Sequence, residues 1–164
     1  MISKTMTRAL NEQINRELFS AYLYQAMSSQ SAHEGNNGFA TWFRIQAQEE
    51  AGHALKFYKY LQDQGAKVEW KAIAAPPATF KSPLAMVEAV LEHERFITAS
   101  IRELVDLALK EKDYATQIML QWFVTEQIEE ESAAENVLNK VRLLGGEARG
   151  LYLLDKELGA RQAH

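Results

Sequence analysis

The chain has 164 residues, with 18 basic and 22 acidic side chains and no cysteine. This length fits one domain over residues 1–164, and the 47% apolar composition excludes a disordered chain. The lack of cysteine excludes disulfides, thiolate zinc sites and iron–sulfur clusters. A net charge of −4 disfavours a nucleic-acid surface, and no apolar run approaches a membrane span. We therefore expect a cytoplasmic protein with neither nucleic-acid nor membrane partners.

Glycine, proline and N-capping residues divide the chain into five predicted helices. Ser3, Ser82 and Asp113 are candidate N-caps, and Ser82 is followed by a proline at the first helical position. The stretch 83–144 contains neither glycine nor proline but would span about 93 Å as one helix, so we predict a break at its polar run 110–113. The predicted helices are 4–34, 39–64, 83–110, 113–144 and 147–158.

The lengths of the connections predict how these helices are arranged. Short turns make the first and second helices antiparallel, and likewise the third and fourth. The second helix would be about 39 Å long, and the 18-residue link after it can reach about 59 Å at most. The link can therefore run the length of the bundle, so that the third helix starts parallel to the second. The predicted fold is all-α: four helices in up-down-down-up order, one long crossover and a short fifth helix.

Four polar side chains interrupt apolar repeats of seven residues in these helices: Glu17, Glu50, Glu94 and Gln127. Glu50, for example, lies between Phe43 and Phe57. Residues seven apart lie on nearly the same face of an α-helix, so these polar side chains point into the predicted core. A buried carboxylate is costly unless it is paired, protonated or bound to a metal. The pattern therefore predicts a cation among them.

Two helices also carry a pair of polar residues at spacing i, i+3. Glu50 and His53 form one pair, and Gln127 and Glu130 form the other. Such a pair lies on one face and can reach one ion, and oxygen ligands with one imidazole suit Fe(II), Mn(II) or Zn(II). One glutamate from each remaining helix completes a di-iron carboxylate arrangement. The alternative is a set of hydrogen-bonded buried acids without metal, which would need buried bases to pair with them.

The combined pattern resembles the non-haem bacterial ferritins over essentially the whole chain, which implies a ferritin-like four-helix bundle. The resemblance rests on Glu17, Tyr24, Glu50, His53, Glu94, Gln127 and Glu130, with the crossover and the tail helix. It implies a first iron held by Glu17, Glu50 and His53. It implies a second held by Glu50, Glu94 and Glu130, with Gln127 close by. Glu50 would then bridge two irons in a ferroxidase centre.

The resemblance also implies a third iron site. Its residues would be Glu49, Glu126, Glu129 and Glu130. From the residues alone, this acidic run is typical of a solvated helix face. Ala51 stands where bacterioferritins have the methionine that binds haem, so the resemblance implies iron but no haem.

Tyr24 lies one heptad after Glu17 and is predicted to be buried. A buried tyrosine needs a hydrogen-bond partner, which a site carboxylate would provide. The family suggests a second role, electron donation to oxidised iron together with Trp122. His93 neighbours Glu94 in sequence but lies off its apolar face, so we predict a surface residue and not a ligand.

The resemblance implies an iron-storage ferritin with ferroxidase activity. It would oxidise Fe(II) with dioxygen or hydrogen peroxide and store a ferric oxyhydroxide mineral in a shell of 24 identical subunits, with the tail helix at the fourfold axis. The same ligands would also suit a di-iron or di-manganese oxidoreductase that acts on an organic substrate. A metal-free helical interaction module is disfavoured by the cost of the buried acids.

Overall fold

The computed structural model describes residues 2–144 and 147–161, which form helices and no strand. The helices are α1 (Lys4–His33), α2 (Asn37–Asp63), α3 (Pro83–Glu111), α4 (Tyr114–Leu143) and α5 (Ala148–Gly159). The predicted bounds differ from these by two residues at most. Within the described ranges, no helix combines the length and the apolarity that a membrane span needs.

The helices begin and end at the predicted signals. Side-chain oxygens of Ser3, Ser82 and Asp113 each accept a hydrogen bond from the backbone N–H three residues later, at 2.9, 3.1 and 3.1 Å. These bonds satisfy N–H groups that have no partner within the helix. α3 ends at Glu111 and is capped by Lys112, whose φ of 56° lies in the left-handed region. The long run without glycine or proline is therefore divided into two helices at the predicted place.

The crossover between α2 and α3 runs alongside α1. Near its start, the Asn11 amide donates to the Lys67 carbonyl at 3.1 Å. Near its end, the Gln30 amide donates to the Phe80 carbonyl at 2.7 Å. The crossover therefore travels the length of the bundle, and α3 starts parallel to α2, as the connection lengths predicted.

Two apolar clusters form the core, one at each end of the bundle. Phe43 and Met27 lie in the cluster that includes α5, and Phe57 and Phe123 stack in the other with ring centroids 3.9 Å apart. Along α2, Glu50 lies between these two sets of aromatic residues. The polar side chains of the four helices therefore meet in the middle of the bundle, between the two apolar clusters.

α5 packs against the N-terminal end of α2. Leu154 and Leu158 are buried in the first cluster, and the Phe39 N–H donates to Asp155 Oδ1 at 2.9 Å. A Cβ at Gly38 would lie 1.6 Å from the Asp155 carbonyl oxygen, so this approach requires glycine. The close contact fixes the end of α5 relative to the helix that carries Glu50.

Candidate metal centre

Carboxylates from all four long helices converge between the two apolar clusters. Glu17, Glu50, Glu94 and Glu130 are at most 6% exposed. One ligand atom each from Glu17, Glu50 and His53 lies within 4.8 Å of the others, and the same holds for Glu50, Glu94 and Glu130. Glu50 belongs to both groups. The arrangement can accommodate two neighbouring cations that share this carboxylate.

Glu50 is the least satisfied side chain of the site. Among the described residues, both of its carboxylate oxygens and Oε2 of Glu17 are buried and accept no hydrogen bond. His53 Nδ1 lies 3.4 Å from Oε2 of Glu50. A buried polar atom without a partner costs on the order of 1–3 kcal/mol, and more for a charged group. A cation between these oxygens would remove that cost.

Burial raises the pKa of every carboxyl group in the site. The pKa of Glu17 rises to about 7 and that of Glu130 to about 8, in both cases mainly by desolvation. Burial and the neighbouring Glu94 raise the pKa of Glu50 well above its usual range. Burial also raises the pKa of Glu94. Without a cation the site therefore retains protons, which a metal ion would displace.

His53 is prepared to act as a neutral ligand. Burial, with a smaller effect of the Lys56 charge, lowers the pKa of His53 to about 4. The imidazole is therefore uncharged at neutral pH, the state in which a ring nitrogen can bind a metal. Its Nε2 lies 3.7 Å from Oε1 of Glu126 on α4.

Neutral donors hold the site carboxylates in place. Tyr24 donates its hydroxyl hydrogen to Oε1 of Glu94, the kind of contact predicted for it. Gln127, predicted as a ligand, donates its amide N–H to Oε2 of Glu94 at 3.0 Å, and its contact with a metal stays a prediction. Gln13 and Gln46 were not foreseen.

These two glutamines each fix one carboxylate of the buried cluster. Gln13 Nε2 donates to Oε1 of Glu17 at 2.8 Å, and Gln46 Nε2 donates to Oε2 of Glu130 at 2.7 Å. Gln13 lies four residues before Glu17 on α1, so its spacing was a usable signal, whereas Gln46 reaches across to α4, which the sequence of α2 does not reveal. Both amides are neutral and leave the charge of the carboxylates for a cation.

The residues predicted for a third iron line a cleft of about 630 Å³ beside the buried carboxylates. Its walls include Glu49, Glu126, Glu129 and Glu130. Glu126 also groups with His53 and Glu130, with ligand atoms within 4.8 Å of one another. Glu129 is exposed, whereas Glu49 is only 18% exposed and forms an ion pair with Arg161. The cleft is therefore an acidic extension of the buried site.

The prediction that His93 is a surface residue is wrong. The ring is partly buried between α1 and α3, its Nε2 lies 2.7 Å from Ser20 Oγ, and it meets Tyr24 edge-on at 6.0 Å. Burial lowers the pKa of His93 to about 4. The heptad of α3 identifies the face turned to the core but not the flank that α1 covers. The ring belongs to neither of the two groups that share Glu50.

Trp122 lies at the mouth of the cleft. It is 38% exposed, and its ring meets His53 edge-on with centroids 5.4 Å apart. The Lys56 ammonium sits 4.0 Å from the centroid of the same ring. The indole therefore contacts both the His53 imidazole and the Lys56 ammonium.

Comparison with known proteins identifies the family. The ferritin family's model of the ferritin-like domain matches residues 7–144. The chain therefore belongs to the ferritin family, which confirms both the resemblance seen in the sequence and the predicted fold class.

Individual relatives cover nearly the whole chain. It is 42% identical over 161 residues to the bacterial non-heme ferritin of Staphylococcus aureus (strain USA300), covering 98% of this chain and 97% of the relative. Its structure is similar to an engineered closed form of the Archaeoglobus fulgidus ferritin, with a TM-score of 0.98, 47% identity and 100% of both chains covered. The open pore ferritin of the same archaeon matches with a TM-score of 0.97 and 48% identity, over 99% of this chain and 100% of that one.

Proposed function

We propose that this protein is an iron-storage ferritin with ferroxidase activity. It binds Fe(II) as its substrate, oxidises it with dioxygen or hydrogen peroxide, and keeps the product as a ferric oxyhydroxide mineral inside a shell of 24 subunits. The observation that carries the proposal is Glu50, a buried carboxylate with two unpartnered oxygens that belongs to two groups of ligand atoms. The cytoplasmic location stays a prediction.

Glu50 lies between two iron positions in this proposal. Glu17 and His53 complete the first position, and Glu94 and Glu130 complete the second. The four carboxylates carry four negative charges when they are ionised, which balance the charges of two Fe(II) ions. Because the site is buried, this neutralisation takes place at low dielectric, where it is stronger than in water.

The oxidation balances with two irons. Each Fe(II) gives one electron. Two electrons and two protons reduce one dioxygen to hydrogen peroxide. With hydrogen peroxide as the oxidant, two electrons and two protons reduce it to two molecules of water. The protein's part is to hold both ions in one buried pocket, where their electrons are available together. The glutamines and Tyr24 fix the carboxylates so that little reorganisation is needed.

The acidic cleft extends the proposal to a third iron. Glu49, Glu126 and Glu129 would hold it with Glu130, since all four line the same cleft. Lys56 and Arg161 also line the cleft, beside these four carboxylates. Four carboxylates in one cleft suit a cation better than an organic substrate, which argues against the alternative oxidoreductase.

Rapid mixing of the anaerobic protein, loaded with two Fe(II) per subunit, with oxygenated buffer tests the assignment. Glu50→Ala should abolish the rapid oxidation phase and leave assembly intact, because it removes the ligand common to both ions. Glu103→Ala removes an exposed charge from α3 and should keep the rapid phase. An unchanged initial rate in Glu50→Ala would refute the assigned site.

The mass of the assembly tests the storage function separately. Native mass spectrometry or gel filtration should give a particle of 24 subunits, and iron-loaded particles should contain an electron-dense core. Elution near the mass of a monomer or dimer would exclude the shell. Rapid Fe(II) oxidation by such a small species would then favour the di-iron oxidoreductase.

A further inference from the structure

Arg161 reaches from the end of α5 to the rim of the metal centre. Its Nη2 donates to both carboxylate oxygens of Glu49, at 2.9 Å to Oε2 and 3.2 Å to Oε1, and its Nη1 donates to the Gln46 carbonyl oxygen. The guanidinium carbon lies 5.9 Å from the centroid of the Trp42 ring. The Arg161 side chain is 23% exposed, so it is held within the protein surface.

The same contacts connect Arg161 to a carboxylate of the buried site. Gln46 accepts from Arg161 through its carbonyl oxygen and donates through its amide nitrogen to Oε2 of Glu130 at 2.7 Å. Both Glu49 and Glu130 line the acidic cleft. Arg161 therefore acts on the cleft directly through Glu49 and indirectly through Gln46.

α5 holds the arginine in this position. The Arg161 backbone N–H donates to the Leu158 carbonyl at 3.2 Å, and Leu158 is buried in the apolar cluster. α5 is fixed to α2 through Asp155 and Phe39, and α2 also carries Gln46 and Glu49. The guanidinium is therefore tethered to the helix whose carboxylate it neutralises.

We propose that Arg161 is a tethered cation which occupies Glu49 until a metal ion in the cleft displaces it. A metal ion bound to Glu49 would take the place of the guanidinium, because two positive groups on one carboxylate repel each other. The affinity of the cleft for its cation is therefore set by competition with Arg161. This inference rests on the proposed third iron position and makes Arg161 a competitor for the Glu49 carboxylate at that position.

Isothermal titration calorimetry of the assembled, metal-free protein with Zn(II) tests the competition, because it measures the affinity of each Zn(II) site. Zn(II) accepts oxygen and nitrogen ligands and has no redox chemistry. Arg161→Ala should tighten the weakest of three Zn(II) sites by about tenfold, the change expected when a charge-assisted pair no longer competes. The two inner sites should change by no more than about twofold.

Arg149→Ala is the matched control. Arg149 is exposed on α5, the helix that precedes Arg161, and no ion pair to it is found within residues 2–144 and 147–161. The control also removes one positive charge from the C-terminal region, so a general electrostatic effect would tighten the third site in both variants alike. Arg161→Lys keeps the charge but loses the planar fork, and should tighten the site by less than the alanine variant.

The outcomes separate this inference from the proposed function. Equal third-site affinity in Arg161→Ala and wild type, or no third Zn(II) in any variant, would overturn the role of Arg161. An equal gain in the Arg149→Ala control would overturn it as well. Failure of the wild type to bind the two inner Zn(II) ions would instead overturn the two-metal site.

Discussion

Replacing Glu130 by glutamine should stabilise the metal-free protein, although it removes a proposed iron ligand. Burial, and then the charge of Glu94, raises the pKa of the Glu130 carboxyl from 4.5 to about 8. Glutamine has the same shape, carries no charge and can still accept the hydrogen bond from Gln46. The variant therefore removes the free-energy cost of burying an ionisable carboxyl group and keeps the packing of the side chain.

The size of the gain follows from the pKa of Glu130. Between pH 4.5 and about 8 the folded carboxyl holds a proton that the unfolded chain releases, so the stability of the wild type falls as pH rises through this window. At pH 7 the cost reaches up to about 3 kcal/mol, at about 1.4 kcal/mol per pH unit. For a domain of this size that corresponds to roughly 6–12 °C in Tm.

Differential scanning calorimetry of chelator-treated protein at pH 5 and pH 7 measures this effect. Glu129→Gln is the control, because it removes the same charge from an exposed position of α4 and should change stability by no more than about 0.5 kcal/mol. The gain from Glu130→Gln should be small at pH 5 and large at pH 7. A gain equal to that of the control, or one that does not grow with pH, would refute the reasoning.

Three further predictions concern Tyr24, the protons of the site and Gly38. Tyr24→Phe removes the hydroxyl that donates to Glu94, and should weaken the second metal position by about tenfold or more in anaerobic titration; unchanged affinity would exclude a supporting role. Because burial raises the pKa values of the site carboxyl groups, metal binding should release more protons at pH 6.5 than at pH 9. Calorimetry in buffers of different ionisation enthalpy measures this release, and equal values at both pH values would contradict it. Gly38→Ala should destabilise the protein by about 1–3 kcal/mol, because its Cβ would collide with Asp155. A Cβ at Gly52 would meet open space, so Gly52→Ala should leave Tm unchanged or raise it in the same thermal melt. Equal changes of Tm in the two variants would contradict this prediction.

The fold could be predicted because its signals are local or depend on simple lengths. The caps at Ser3, Ser82 and Asp113 are set by the residues that follow them, and the crossover length determines which helices run parallel. The direction of Glu50 into the core follows from the heptad of its own helix. Such features need no knowledge of how the helices pack laterally.

The missed contacts depend on that lateral packing. His93 is covered because α1 lies against one flank of α3, which the sequence of α3 does not reveal. Gln46 joins a carboxylate on α4, and Arg161 meets Glu49 only because α5 folds back on α2. The helical periodicity predicted which carboxylates face the core. The side chains that hold or neutralise these carboxylates could be identified only from the structure.

A crystal structure of the protein loaded anaerobically with Fe(II), with iron located by anomalous scattering, tests the central claim most directly. The account predicts two ions per subunit, one on each side of Glu50 and both bound by its carboxylate. His53 should bind only the ion shared with Glu17, and Glu94 and Glu130 only the other. Iron bound solely at exposed acidic residues, with the buried carboxylates around Glu50 free of metal, would contradict it.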